Sequence, residues 1–436
     1  MATLKVNFDA PKGKMKPLHG VNNSRINYTG EALPEFVEAG IPFCRLHDTG
    51  GAFGGSHFVD IPNVFPNFDA DPDDPASYDF AFTDVYLKSL NASGTQIFYR
   101  LGVTIENNFR IKAYRIAPPA DYNKWAKICE MIVRHYNEGW ANGFHFGIQY
   151  WEIWNEPENP PMWSGTMEQY FELYRVASCH LKKCFPELKV GGYASCGFYA
   201  LTDPKCANNE FYRSFITWYD EFLKFIKAPE TACPLDFFSF HRYTNWPEEI
   251  AIHADYVKGK LLEAGLPDTE LIFNEWNYMT RDDKQVFVTQ RTRVGASFTA
   301  AAFCVMQNSV IDLAMFYDAF PSRAYGAFYN FPSFGVSCTG RVFTAYNELY
   351  KLGTQVESTV EGEKLYACAA ASATGKAVLL INYNAAPQTV DCTFAGAGAP
   401  TSIKMLSDNA TLDETPDALC GDTIAMPPYS VALLVF

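Results

Sequence analysis

Between residues 18 and 352 short apolar runs alternate with amphipathic helical patterns, and this alternation leaves the chain very few folds. The strand candidates are LHGVNN (18–23), PFCRLHD (42–48), TQIFYRLG (95–102) and IQYWEIWNE (148–156). Four more follow: LKVGGY (188–193), DFFSFHRY (236–243), ELIFNEW (270–276) and LAMFYD (313–318). Intervening segments such as NKWAKICEMIVRHYNEG (123–139), TMEQYFELYRVASCHLKKC (166–184) and FYRSFITWYDEFLKFI (211–226) place apolar residues at three- and four-residue steps. That spacing suits a helix lying on a sheet. Strands this apolar belong to a parallel sheet covered by helices. Eight such units predict an α/β chain closed into a (β/α)8 TIM barrel. A doubly wound open sheet is the alternative, but no Gly-rich phosphate loop follows the first strand.

A barrel gathers its chemistry at the C-terminal ends of its strands, where the βα loops form the mouth. The conspicuous polar residues fall there. Arg45, His47 and Asp48 end strand two, and Asn155 and Glu156 end strand four. His241 and Tyr243 end strand six, Glu275 and Trp276 strand seven, Tyr317 and Asp318 strand eight.

Two of these, Glu156 and Glu275, form a pair with a recognisable use. Hydrolysis of a glycosidic bond with retention needs two carboxyl groups about 5–5.5 Å apart, one a proton donor and the other a nucleophile. In WEIWNEPENP, period two puts Glu152, Trp154 and Glu156 on one face, and Pro157 stops the strand. In ELIFNEWNY, Leu271, Phe273 and Glu275 share parity, so Glu275 is expected to end an inward row. Phe43, Arg45 and His47 share parity in strand two, which points Arg45 inward. A buried guanidinium needs an anionic partner, and Glu152 or Glu275 can supply it. His241 and Tyr243 are expected to hold Glu275.

These motifs carry a resemblance. WEIWNEP, then FHRY, then FNEW resembles clan A of the glycoside hydrolases, and CRLHD, YNKWAKICEMIVRHY and a terminal β domain make the chain most similar to glycoside hydrolase family 39. The resemblance implies Glu156 as acid/base, Glu275 as nucleophile, Asn155 near the sugar 2-hydroxyl, and His241 and Tyr243 as supports of the nucleophile. His47, Asp48, Trp276, Arg45 and Tyr317 complete the expected substrate-binding set. The implied activity is a retaining, exo-acting hydrolase of β-xyloside- or arabinoside-like glycans. A silent carbohydrate-binding barrel is the alternative, against which both glutamates stand.

Two other stretches bear on organisation. Residues 48–79 form a long Gly/Pro/Asp-rich insert after strand two, expected to wall one side of the pocket. After Gly353 short β patterns such as KAVLLINYN, QTVDCTFAG and YSVALLVF, separated by Gly, Pro and Asn turns, predict a β-sandwich. The expected division is an N-terminal strand segment (1–17) joining that sandwich, a barrel (18–352), and the sandwich itself (353–436).

Composition narrows the partners. A net charge of −14 argues against nucleic acid, whose phosphates need a positive surface. No apolar run of about 18 residues exists to span a membrane. The aromatic fraction of 16% suits sugars, whose ring faces stack on aromatic side chains, although most such residues belong in a core. The twelve cysteines lie singly, without a CxxC pair, so neither a disulfide framework nor a zinc site is expected. Those in strand or helix interiors (Cys44, Cys129, Cys179, Cys184 and Cys304) read as small hydrophobes. The opening MATLKVNFDAPKGKMK lacks the apolar core of a leader, so a cytoplasmic protein is expected, or a secreted one whose leader has been removed. Its partner is expected to be an oligosaccharide or glycoside, with no metal or other cofactor, no nucleic acid and no membrane; a homo-oligomer stays open.

Overall fold

The computed structural model describes residues 2–50, 58–104, 114–321 and 323–436. Eight parallel strands close into a barrel: Gly20–Asn22, Phe43–Arg45, Gln96–Leu101, Tyr150–Ile153, Lys189–Ser195, Phe237–Thr244, Glu270–Tyr278 and Leu313–Phe316. The eighth pairs back onto the first through Gly20 with Met315 and Val21 with Phe316. Each strand overlaps a segment that its apolar pattern marked, and the fifth, sixth and seventh run one or two residues past it. Several of the helices between them begin where a side chain satisfies free N–H groups. Asp121 accepts from Asn123 and Lys124 at the start of Tyr122–Glu138, and Thr166 and Gln169 cap Met167–Cys184 reciprocally.

The barrel interior is layered. Phe43, Phe98, Phe237, Ile272, Leu313 and Met315 fill its lower half. This apolar plug excludes water from below, so the polar layer above it sits in a poorly screened environment. The membership of the plug also corrects one expected parity. Ile272 faces inward, whereas Leu271 and Phe273 face outward into the core shared with the helices.

The remaining strands form one ten-stranded sheet, into which the N-terminal strand Ala2–Lys14 is inserted. It runs antiparallel to Thr354–Glu361 and parallel to Gln388–Ala395. Leu4, Val6 and Phe8 join Val378, Leu380, Val390, Ile424 and Leu434 in a second core. Alternate residues of Lys376–Asn382 face opposite ways: Val378 and Leu380 enter this core, while Leu379 and Ile381 pack with the barrel's helices. A strand buried on both faces welds the sheet to the barrel.

Of the 48–79 insert, residues 51–57 lie outside the described residues. The rest is a packed shoulder in which Phe58, Ile61, Val64 and Phe65 are buried. Asp60 ties it down by accepting from Arg100 Nη2 at 2.6 Å and from Thr104 N at 2.9 Å. All twelve cysteines are free thiols. No helix among the described residues is long and apolar enough to cross a membrane.

Candidate active site

Directly above the apolar plug, Arg45 organises a buried polar layer. Its Nε donates to Glu152 Oε2 at 2.7 Å, its Nη2 to Asn155 Oδ1 at 2.6 Å, and its Nη1 to Asn22 Oδ1 at 3.1 Å and Glu275 Oε2 at 3.2 Å. Glu152 is completed by Ser239 Oγ at 2.6 Å and Asn274 Nδ2 at 2.5 Å. A buried ion pair of this kind holds only when hydrogen bonds satisfy its remaining atoms, and here they do. Asn22, Glu152, Ser239 and Asn274 were not among the expected site residues. Glu152 was expected only as a partner for Arg45, which it is.

Two local departures from regular strand geometry bring the glutamates to the mouth. In strand seven the pairing shifts: Phe273 is opposite Phe240, but Glu275 is opposite His241. The extra residue, Asn274, faces inward by period two from Ile272, and the bulge then turns Glu275 to the same side. Glu275 therefore reaches the site by a bulge rather than by shared parity with Leu271 and Phe273. In strand four the regular strand ends at Ile153, and Trp154 and Glu156 adopt left-handed backbone (φ 74° and 44°). Trp154 does not share the face of Glu152. Its ring packs outward against Trp163, centroids 5.0 Å apart, and its Nε1 donates to Met162 O at 2.9 Å. Glu156 is then held by its own N–H, which donates to Ala194 O of strand five at 3.0 Å. Non-glycine residues in this region of φ/ψ space cost roughly 1–3 kcal/mol each and concentrate at functional sites.

At the mouth one carboxyl oxygen of Glu156, one of Glu275 and a ring nitrogen of His241 lie within 4.8 Å of one another. His241 Nδ1 is 2.7 Å from Glu156 Oε1 and 3.6 Å from Glu275 Oε2. Its closer partner is thus the strand-four glutamate, not the strand-seven one expected from sequence. Tyr243 OH donates to Glu275 Oε1 at 2.6 Å, as expected. Burial pushes the His241 imidazole down to about 4, with Arg45 adding to the fall against the raising charges of Glu275 and Glu152, so the ring is neutral at pH 7.

Both carboxyl groups are pushed up to about 7, chiefly by burial. For Glu156, hydrogen bonds from Asn159 and Cys196 and the charge of Arg45 pull the other way, and Asp48 adds to the rise. For Glu275, His241 lowers it and Glu156 raises it. Two carboxylates this close do not both ionise readily, so the pair retains one proton near neutrality. The two groups differ in their donors. Glu275 receives a guanidinium and a phenol, whereas Glu156 meets the Asn159 amide at 3.3 Å and the neutral His241 ring at 2.7 Å. A charged donor favours the ionised form of Glu275.

The other expected residues divide. His47 Nε2 lies 3.5 Å from Asp48 Oδ1 and 4.0 Å from Glu275 Oε2, and burial holds its imidazole neutral. Tyr317 OH donates to Asp48 Oδ2 at 2.6 Å. Arg323, missed by sequence reasoning, donates to the Asp48 carbonyl. Asn155 keeps an amide nitrogen whose nearest partner is the Met162 thioether at 4.0 Å, so it retains donor capacity. Trp276 is not at the mouth. Its ring is buried among Phe273, Phe303 and Phe316 on the outer face of strand seven, where the bulge at Asn274 sends it. Tyr325, missed because it lies beyond strand eight in an irregular loop, packs against Tyr243 and Tyr317 at centroid distances of 5.3 and 5.6 Å.

The Glu156, His241 and Glu275 donor set is compact enough for a cation, but the Arg45 guanidinium 3.2 Å from Glu275 opposes one electrostatically. A second compact set, Glu130, His180 and Cys184, lies on the outer helices, where Glu130 is already bonded by Lys127, Arg134 and His180.

An eight-stranded barrel with paired glutamates ending strands four and seven, joined to a strand-rich terminal sheet, is the arrangement that the resemblance in sequence implied. In sequence the chain is similar to glycoside hydrolase family 39 and to β-xylosidases. The family described as "Glycosyl hydrolases family 39" matches residues 57–259, a stretch that includes Glu156 and ends before Glu275. Residues 363–434 match a second family, "D-apionate lactonase, C-terminal immunoglobulin-like domain". A β-xylosidase of Geobacillus stearothermophilus is 28% identical over 198 residues, 43% of this chain and 34% of the relative. One from Caldicellulosiruptor saccharolyticus is 30% identical over 179 residues, 37% of this chain and 32% of the relative. The matched stretch is thus about a third of the length of these curated relatives. The fold as a whole is that of a glucosidase from Croceicoccus marinus, with a TM-score of 0.75 and 21% identity over 100% of this chain and 98% of that one.

Proposed function

We propose that the protein is a retaining O-glycoside hydrolase, with Glu275 as nucleophile and Glu156 as acid/base, releasing a terminal β-xyloside- or arabinoside-like unit. One observation carries this: two buried carboxyl groups with oxygens within 4.8 Å, of which Glu275 alone accepts from both the Arg45 guanidinium and the Tyr243 phenol. Separations near 5 Å suit direct attack, whereas inverting pairs stand about 6.5–9.5 Å apart to admit a water. The similarity to β-xylosidases supports the sugar class.

In the first step Glu275 attacks the anomeric carbon while Glu156 delivers its proton to the departing oxygen, breaking the C–O bond. The negative charge on Glu275 is consumed in the new ester bond, and Glu156 becomes the anion. That anion then removes a proton from water, whose oxygen displaces Glu275 and restores both groups. Tyr243 and Arg45 orient the nucleophile and share its charge. Neutral His241 contacts both carboxyl groups and so can respond as charge moves from one to the other. The role of Asn155 is to present its free amide donor to the sugar beside the reacting carbon.

Glu275→Gln should abolish turnover of aryl glycosides. Glu156→Ala should retain substrates with good leaving groups and form a glycosyl azide of unchanged anomeric configuration when azide is added. Loss of neither activity, or an inverted product, would overturn the assignment.

A further inference from the structure

Beside the carboxyl pair a cavity of about 450 Å³ opens above the loops that follow strands five to eight, within the size range of small-molecule sites. Its inner wall includes Tyr243, the residue that holds Glu275, and Tyr325. The strand-five loop leads into it: Ala194 anchors the Glu156 backbone, and Tyr199, five residues on, lines the cavity. The side nearer strands two and eight is instead filled by His47, Asp48, Tyr317 and Arg323 bonded among themselves.

The lining has a definite chemical character. Arg242 is only 6% exposed and stacks 4.1 Å from the Tyr199 ring. Its charge is met by Glu249, and that of Arg281 by Asp203 at 3.8 Å. The wall is therefore polar but internally neutralised, which suits an uncharged, hydroxyl-rich ligand better than an acidic one. At the rim the Trp246 side chain is 46% exposed immediately after strand six. An indole left open beside polar side chains offers an apolar face to the C–H face of a sugar ring, while the neighbouring Thr280 and Asp282 can bond its hydroxyl groups.

We propose that this cavity binds the sugar on the leaving-group side of the scissile bond, with Trp246 as the stacking platform, so that the substrate is an oligosaccharide rather than a simple alkyl or aryl glycoside. This rests on the hydrolase reading above. The bond to be cut then lies between a first sugar facing His47 and Asp48 and a second sugar facing Trp246, with Glu156 at the oxygen that joins them.

The experiment compares glycosyl fluorides, whose leaving group is too small to enter the cavity, with disaccharides of the same glycone. A panel of fluorides in both anomers first identifies the sugar turned over by the wild type. Trp246→Ala should then lower kcat/KM on the matching disaccharide at least tenfold while leaving the fluoride within about twofold, and Trp246→Phe should recover most of the loss. Equal loss on both substrates, no loss on the disaccharide, or a wild type that cleaves the fluoride but no disaccharide would each overturn the subsite alone. Turnover of no fluoride at all would overturn the hydrolase reading and the subsite with it.

Discussion

Arg45 touches Glu275 through a single nitrogen, Nη1 to Oε2 at 3.2 Å, while its other nitrogens are held by Glu152 and Asn155. The guanidinium thus serves two glutamates at once, one structural at the centre of the barrel and one at its mouth. Replacing Arg45 by Met leaves Glu152 as a buried charge without its cation. The expected cost is about 3–5 kcal/mol of folding stability, measured by urea denaturation at pH 7. Arg45→Met with Glu152→Gln should recover much of that loss, because the orphaned charge is gone.

Tyr243 makes the shortest bond to Glu275 and stabilises its ionised form. Tyr243→Phe removes that donor and raises the pKa of Glu275. A hydrogen bond to a charged group contributes roughly 1.5–3 kcal/mol, so the acidic limb of the kcat/KM profile should move to higher pH by about 1–2 units. Maximal kcat should fall about 10–100-fold. A profile that does not move would remove Tyr243 from the site.

Glu158 provides a test of stability against pH. Two residues beyond Glu156, it is buried and accepts from Ser195 Oγ and Cys196 N, both at 2.7 Å, and burial pushes it up to about 8. A carboxyl group with a raised pKa holds its proton more tightly in the folded chain. Its contribution is complete below the unfolded value of about 4.3 and is lost as pH rises through about 8. Glu158→Gln keeps an acceptor for both bonds but cannot ionise. The variant's Tm relative to wild type should therefore rise between pH 6 and pH 9, and a constant difference would contradict this account.

Trp276 is a core residue, and its replacement should behave as one. Trp276→Phe leaves a void among Phe273, Phe303 and Phe316. A loss of roughly 1–3 kcal/mol is expected from thermal or urea unfolding. KM should stay within about twofold of wild type, since no substrate contact is removed. A large rise in KM with unchanged stability would return Trp276 to the mouth.

The eight barrel strands and both glutamates were legible because their signals are local. An apolar run of four to eight residues followed by a 3.6-residue period can be read from any window that contains it, and a polar residue ending such a run stands out against it. The same locality explains the errors. Period two assigns faces only while the strand stays regular, and one inserted residue at Asn274 reverses every assignment across it. Leu271 and Phe273 were placed inward for that reason, whereas Trp276 was placed at the mouth because it stands beside Glu275 at the strand end. The left-handed turn at Trp154 defeated the parity of strand four in the same way.

The sequence by itself determined the architecture, the strands that bear Glu156 and Glu275, and the inward Arg45, because each depends on hydrophobic burial patterns written in consecutive residues. Tertiary structure alone decided that Arg45 and Tyr243 converge on Glu275, that His241 leans toward Glu156, and that Tyr325 and Trp246 flank an open cavity. Those outcomes depend on distances between groups 85 and 230 positions apart, such as His241 with Glu156 and Arg45 with Glu275. Hydrogen bonds and Coulomb energies vary over fractions of an ångström, and only the closed barrel sets separations that finely.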